Sequence, residues 1–277
     1  MIKYIFVLFI GLAGLSCQQN ETQREWVYHK SIHLAGINPI GIASRDGELW
    51  LSDGDHNRLV QIDIAGHILK TIDSLDRPMH IDADEENLYI PEYGIDSIVS
   101  FHLPDHSLFR KSVFANLDAP AAISVLKAQK AVVDFYNNRI HYFDGHTIIS
   151  FGKEGKKTGE FYYPTDVQIT DSLIWVADAY NNRIQVFDKA GKFVKMIGQD
   201  QKMNAATGLF VSTNEVFITD FENDRVLVFD HEGNLKQQLV EGIAKATDLL
   251  VKQDTLYVIN YRKGELVLYT PKEKISE

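Results

Sequence analysis

The segment Asp178-Ala179-Tyr180-Asn181-Asn182-Arg183-Ile184-Gln185-Val186-Phe187-Asp188 recurs as Asp134-Phe135-Tyr136-Asn137-Asn138-Arg139-Ile140-His141-Tyr142-Phe143-Asp144 and as Asp220-Phe221-Glu222-Asn223-Asp224-Arg225-Val226-Leu227-Val228-Phe229-Asp230. A looser copy runs from Asp53 through Asn57-Arg58 to Asp63. Two degenerate copies start at Glu92 and Asn260, with Ser97 and Glu265 in place of the arginine. The copies begin at residues 53, 92, 134, 178, 220 and 260, so the steps are 39, 42, 44, 42 and 40 residues. A period near 40 with β character means a small sheet that cannot cover its own faces and must stack on its neighbours.

Each unit reads as four strands. In the fourth unit, Tyr163 to Ile169 is a first strand opened by Pro164, and Leu173 to Ala177 is a second. Ile184 to Phe187 is a third, and Phe193 to Ile197 follows the turn at Gly191 as the fourth. Their β-branched and aromatic residues suit a pleated, half-buried surface. The expected fold is all-β: a six-bladed β-propeller of four-stranded blades. The sixth unit supplies Ala246 to Val251, Leu256 to Ile259 and Leu266 to Tyr269, then ends in Pro271 and a charged tail, residues 272–277. At the other end of the chain, Trp26 to Gly36 looks like an orphan fourth strand, its Leu34-Ala35-Gly36 echoing Met196-Ile197-Gly198. An N-terminal strand is therefore expected to complete the last blade, giving one propeller over residues 26–271.

The unit resembles the NHL repeat: a proline at the first strand, an apolar run ending in Asp, then Asn-Arg-Ile and a closing Phe-Asp. The stretch from Gly152 through Gly159-Glu160-Phe161 to Pro164 matches that family's connection between blades. The resemblance spans about residues 26 to 270. It is strong in blades three to five, fair in blade one, and weak in two and six. The chain resembles the six-bladed propeller lipoproteins of the Bacteroidetes type.

The first 16 residues read as a signal peptide, with Lys3 before an apolar run from Ile5 to Leu12 that is too short to span a bilayer. Gly14 and Ser16 are small residues placed for a cut before Cys17, the sole cysteine. Cys17 cannot form an internal disulfide, and the segment resembles a bacterial lipobox, with Gly14 where that pattern usually has Leu. Lipidation of Cys17 is expected, with residues 18–25 as a polar tether. Ordinary secretion with cleavage at the same bond is the alternative. These features place the protein in the bacterial cell envelope, periplasmic or surface-exposed, with membrane attachment through the lipid only. The net charge is −10, or −11 once Lys3 is removed, which disfavours nucleic acid as a partner. A monomer is expected.

Three sets of residues are candidates for chemistry. Asp53, Asp134, Asp178 and Asp220, each followed five residues later by Arg58, Arg139, Arg183 and Arg225, co-occur as a structural corner would require. The third residue of each first-strand motif is Gly41, His80, Ala122, Asp166, Gly208 or Asp248, and should lie near the axis. His80, Asp166 and Asp248 have the donor types of a divalent-metal site. The simpler expectation is a polar, water-lined channel. The aromatics Tyr93, Phe135, Tyr136, Tyr180, Phe221 and Tyr261 follow the corner acids and are expected to rim the channel mouth as a ligand-binding face, with the alternative that they pack between blades. Among related enzymes, the resemblance implies several zinc-binding channel histidines for peptide-amidating lyases, where this chain has His80 alone. For calcium-dependent lactonases it implies a Glu, two Asn and an Asp, a set not placed here. With no catalytic residues assigned, the expectation is a non-catalytic binding or scaffold module for a carbohydrate, peptide or envelope protein. The alternative is a metal-dependent hydrolase or lyase working in the channel.

Overall fold

The computed structural model describes residues 24–272, apart from 46 and 111. The signal segment, Cys17, most of the tether and residues 273–277 lie outside the described residues. Those described form six four-stranded antiparallel sheets, the blades of a propeller. In each of the first five blades the strands follow chain order from the axis outwards; blade four is Asp166–Ile169, Leu173–Asp178, Arg183–Asp188 and Phe193–Ile197. The innermost strands of the other blades are Gly41–Arg45, Asp82–Ala83, Pro120–Leu126, Ala206–Val211 and Ala246–Lys252. Blade two has the shortest inner strand. His80 stands just before it, bridging in parallel to Ala122 of blade three.

Core packing is divided among the blade interfaces. Trp175, Val186, Leu209, Ile218 and Phe229 fill the space between blades four and five. Leu51, Val60, Ile259 and Leu268 fill that between six and one. The remaining interfaces have equivalent clusters. Apolar side chains on both faces of each sheet are thereby covered, which one blade alone could not achieve.

The ring closes as the sequence implies. Trp26–His33 pairs antiparallel with Glu265–Pro271 as the outer strand of blade six, from Trp26 opposite Pro271 to His33 opposite Glu265, with the register shifting by one residue between Tyr28 and Lys30. Trp26 is fully buried, edge-on to Phe217 at 5.5 Å. Its backbone N–H donates to Gln237 Oε1 at 2.9 Å, and Gln237 Nε2 donates back to its carbonyl at 2.7 Å. The first and last parts of the propeller are thus joined by a ladder, which closes a long loop. Among the described residues, no helix is long and apolar enough to cross a membrane.

Candidate functional site

At the end of every second strand the chain makes the same corner. One oxygen of Asp53, Glu92, Asp134, Asp178, Asp220 or Asn260 accepts a backbone N–H from the segment leading into its own blade: that of Asn38, Asp76, Asp118, Tyr162, Asn204 or Ala244. The other oxygen of the four aspartates accepts Nε of Arg58, Arg139, Arg183 or Arg225 at 2.6–2.8 Å. Blade two lacks this arginine, and Arg110, from beyond its outer strand, takes the same place against Glu92. In blade six the polarity is reversed, with Asn260 Nδ2 donating to Glu265 at 3.1 Å. All six corner side chains are fully buried. Buried carboxylates must be paired, and these are paired locally, so they hold corners together.

The residue before each arginine explains the asparagine of the motif. Asn57, Asn138, Asn182 and Asp224, with Asp96 of blade two, all have positive φ between 50° and 57°. Asn and Asp tolerate this left-handed conformation better than other residues with a side chain. Each uses its side-chain oxygen to accept the N–H of the next blade's entry residue: Arg77, Ala119, Tyr163, Ala205 or Lys245.

The axis is built differently. Odd-numbered blades contribute Gly41, Ala122 and Gly208, and even-numbered blades contribute His80, Asp166 and Asp248. The glycines are required for close approach. A Cβ on Gly41 would lie 2.6 Å from the Met79 carbonyl and 2.7 Å from His80 Cα; on Gly208 it would lie 2.4 Å from the Thr247 carbonyl and 2.8 Å from Asp248 Cα. Small residues on alternate blades therefore let the other three side chains converge.

One ligand atom each from His80, Asp166 and Asp248 falls within 4.8 Å of the others, and all three residues are buried. His80 Nδ1 is 3.7 Å from Asp166 Oδ2 and 3.6 Å from Asp248 Oδ2, and has no hydrogen-bond partner among the described residues. These separations are long for hydrogen bonds. Nitrogen and oxygen ligands about 2.0–2.2 Å from a shared ion at tetrahedral angles lie about 3.3–3.6 Å apart, close to the two His80 separations, so the cluster has the donor types for a divalent metal at nearly the required spacing. Backbone amides fix the carboxylates. Asp166 Oδ1 and Oδ2 accept Val167 N–H at 2.8 Å and Leu209 N–H at 2.7 Å. Asp248 Oδ1 and Oδ2 accept Leu249 N–H at 2.8 Å and Ile42 N–H at 2.9 Å. Oriented ligands of this kind are how a protein tunes a bound ion.

The electrostatics favour a cation. Burial alone would lower the His80 pKa, but the charges of Asp248 and Asp166 outweigh it and lift His80 to about 9. Burial lifts Asp248 to about 7, opposed by His80 and reinforced by Asp166. Asp82, lining the same cavity, is lifted to about 6, again mainly by burial. Burial makes a negative charge on Asp248 and on Asp82 costly, and a divalent ion held at the triad would relieve it.

The triad lies in a well of about 430 Å³, lined by the inner strands as far as Arg45, Leu126 and Lys252 at the hairpins that lead into the second strands. On the other side of the triad, neighbouring blades are tied together by Thr165 to the carbonyls of Ala206 and Thr207, by Thr207 to that of Ala246, and by Thr247 to that of Pro39. The aromatic loops leave the blades on that opposite side, because they follow the corner acids. None of Tyr93, Phe135, Tyr136, Tyr180, Phe221 and Tyr261 lines the well. The expected arrangement of aromatic rim above polar floor is therefore corrected. Tyr93, Phe135, Tyr136 and Tyr180 join Tyr162 and Tyr163 in a chain of ring contacts between 4.7 and 6.1 Å. Phe221 lies instead under Lys245, and the Tyr261 hydroxyl donates to Asp55. Sequence reasoning missed the wall residues Asp82, Ser124, Gln168 and Phe210. The signal that could have found them is their common place two residues beyond the axial position of each blade.

Comparison with known proteins adds the following. The NHL repeat model matches residues 161–187. A RING finger protein of Caenorhabditis elegans is 36% identical over 74 residues; the match covers 25% of this chain and 8% of that protein. Among solved structures, a streptogramin B lyase superposes with a TM-score of 0.66 at 14% identity, covering 89% of this chain and 98% of its own. A catalytically inactive histidine-to-alanine variant of virginiamycin B lyase from Staphylococcus aureus, with quinupristin, superposes with a TM-score of 0.64 at 14% identity, covering 89% and 99%. A gluconolactonase from Xanthomonas campestris gives 0.70 at 13% identity, covering 90% and 100%. At these identities the likeness shows a shared fold. The convergence of an imidazole and two carboxylates on the floor of a well, in a fold that a lyase and a lactonase share, overturns the expectation of a non-catalytic binding or scaffold module. The chain is similar in fold to a streptogramin B lyase and a gluconolactonase, and carries a partial NHL motif.

Proposed function

We propose that this protein is a metal-dependent hydrolase or lyase with its active site in the channel. The observation that carries this reading is the convergence of His80, Asp166 and Asp248 on the floor of the well. A divalent ion held there would supply Lewis acidity to a carbonyl or leaving oxygen. The chain's own residues do the rest. Asp166 and Asp248, pinned by backbone amides, orient the donor set. His80 supplies the neutral nitrogen once its proton is displaced. The well walls keep the reacting group out of bulk water.

The proposal extends to the protein's setting. The repeat pattern and N-terminus support an NHL-type propeller lipoprotein of the Bacteroidetes type, exported and anchored through Cys17. A carbohydrate or a peptide would reach the well as substrate rather than as a docked partner. Conversion of Cys17→Ser should move the protein to the soluble fraction.

The activity test is a screen of ester, lactone and glycoside probes with the mature protein, made without a His tag. Turnover should fall at least about 100-fold in His80→Ala and Asp248→Asn. In water enriched in heavy oxygen, a hydrolase places the label in the acid released from an ester or lactone, or at the anomeric carbon of a released sugar, whereas a lyase does not. Turnover equal in wild type and both variants would refute the assignment.

A further inference from the structure

Residues 24–26 lie on the side where the well opens. Trp26 is fully buried, and its Nε1 donates to the two Glu215 carboxylate oxygens at 3.3 and 3.2 Å. Arg24 Nη2 pairs with Asp254 Oδ1 at 2.5 Å. Glu215 stands in the hairpin 212–215, between Ala206–Val211 and Val216–Asp220 of blade five. Asp254 stands in the hairpin 253–254, between Ala246–Lys252 and Thr255–Asn260 of blade six. Both hairpins lead from an inner strand into a second strand, so both stand at the mouth of the well. The corner loops with Tyr136 and Tyr180 are on the opposite face. Burial of Trp26 thus fixes where the chain enters the propeller, and the Arg24 pair carries it on toward the mouth.

The wall of the well is divided in the same sense. Two residues beyond the axial positions, blades two, three and four carry Asp82, Ser124 and Gln168, while blades five, six and one carry Phe210, Leu250 and Ala43. The polar three are engaged by the next blade: Asp82 accepts the Val125 N–H at 2.7 Å, Ser124 that of Ile169 at 3.1 Å, and Gln168 that of Val211 at 2.5 Å. The other half of the wall presents hydrocarbon. Phe210 and Leu250 belong to the inner strands whose hairpins hold Trp26 and Arg24. The apolar half-wall and the entry of the chain therefore fall on the same two blades, five and six.

We infer that the mouth of the well faces the membrane that carries the lipid on Cys17, with blades five and six nearest to it, and that the substrate is an amphiphile borne by that membrane. This rests on lipidation of Cys17 and on the channel being the reaction site. Arg24 is seven residues beyond Cys17, and seven residues span at most about 25 Å. Turning the corner loops to the membrane instead would use that whole length along the flank of the blades, whose inner strands of up to seven residues run about 23 Å before the loops are counted. An amphiphile leaving the bilayer meets the hairpins of blades five and six first. Its hydrocarbon lies on Phe210 and Leu250, and its polar part reaches His80, Asp166 and Asp248. A well of about 430 Å³ takes a small molecule or the end of a longer one. The carbohydrate or peptide substrate is thereby narrowed to one that carries a hydrocarbon group, which a freely soluble sugar would not bring to the apolar half-wall.

Photo-crosslinking tests this without turnover. The mature protein, purified from the membrane fraction, is placed in phosphatidylcholine vesicles containing a lysophosphatidylcholine with a diazirine in its acyl chain. After illumination, adducts are mapped by peptide mass spectrometry. They should fall on the hairpins 212–215 and 253–254 and, inside the well, on Phe210 or Leu250, with none above background on the corner loops at 135–137 and 179–181. Adducts on the corner loops equal to those on the hairpins, or unlabelled hairpins in an acylated protein, overturn the orientation. Labelled hairpins with an unlabelled well overturn the substrate class. The mass of the Cys17 peptide is read in the same sample. An unmodified Cys17 removes the lipid anchor and this inference with it, and leaves the channel assignment standing. If the adducts fall as expected and no ester, lactone or glycoside is turned over, the orientation stands and the catalytic reading falls.

Discussion

At the corner after the second strand, six blades carry six versions of one arrangement, each buried acceptor engaged by its own entry segment. At the axis the same blades depart from one another: glycine, histidine, alanine, aspartate, glycine, aspartate. Both regions are buried and acidic, so burial and charge do not distinguish them. What does is whether the repeat predicts the residue and whether its hydrogen bonds are complete. Corner carboxylates are repeated and saturated. The axial set is unrepeated, and His80 Nδ1 is left without a bond. In a repeat protein, a polar group that every unit needs belongs to the fold, and a polar group that breaks the pattern is where function is to be sought.

The comparison can be broken first at ring closure. Deleting residues 18–33 removes the outer strand of blade six and uncovers Phe217, Val228 and Val267. The protein should lose its cooperative unfolding transition, measured by circular dichroism during urea titration. Retention of a single sharp transition would mean that the ladder is dispensable.

Next in size is Asp178→Ala. Arg183 would remain buried without its carboxylate partner, a loss of about 3–5 kcal/mol by denaturant unfolding, while divalent-metal content stays at the wild-type level. Asp248→Asn should do the reverse, losing the metal at a smaller cost in stability. If both substitutions strip the metal, the corner and the axis are not separable.

A smaller effect sharpens the contrast within the corners. Burial pushes the Asp134 carboxyl up, but bonds from His141, the Asp118 amide, Arg139 and Asn137 outweigh it and hold its pKa below the ordinary 3.8. At Asp178, where Gln185 stands in place of His141, burial prevails over the Tyr162 amide, Asn181 and Arg183, and the pKa is raised. The signs differ accordingly. Asp134 contributes stability fully above its unfolded pKa and loses it as pH falls through its lowered folded value. Asp178 contributes most below its unfolded pKa and less as pH rises through its raised folded value. Between pH 7 and pH 4.5, the penalty of Asp178→Asn should grow while that of Asp134→Asn holds steady, as measured by urea unfolding. Parallel pH dependence would contradict this.

Most of the fold was legible because each blade repeats the same turn chemistry. The corner residues, four strands per blade and the closing role of Trp26 to His33 are all written in motif and period. Blade two was less so, because Arg110 reaches Glu92 from outside the motif. The axial trio was legible as positions but not as a cluster. A register places His80, Asp166 and Asp248 around a ring without giving its radius, and here Gly41 and Gly208 make it narrow. The aromatic loops were misplaced relative to the well because strand order shows that they share a side, not which side holds the cavity.

The central claim is tested most directly by the metal content of the mature protein, purified without a His tag and analysed by mass spectrometry. The prediction is about one divalent ion per chain, absent from His80→Ala and Asp248→Asn and retained in Asp178→Asn, in keeping with a three-ligand site. A wild-type protein that takes up no divalent ion at micromolar supply, or one whose metal survives both axial substitutions, would contradict the account.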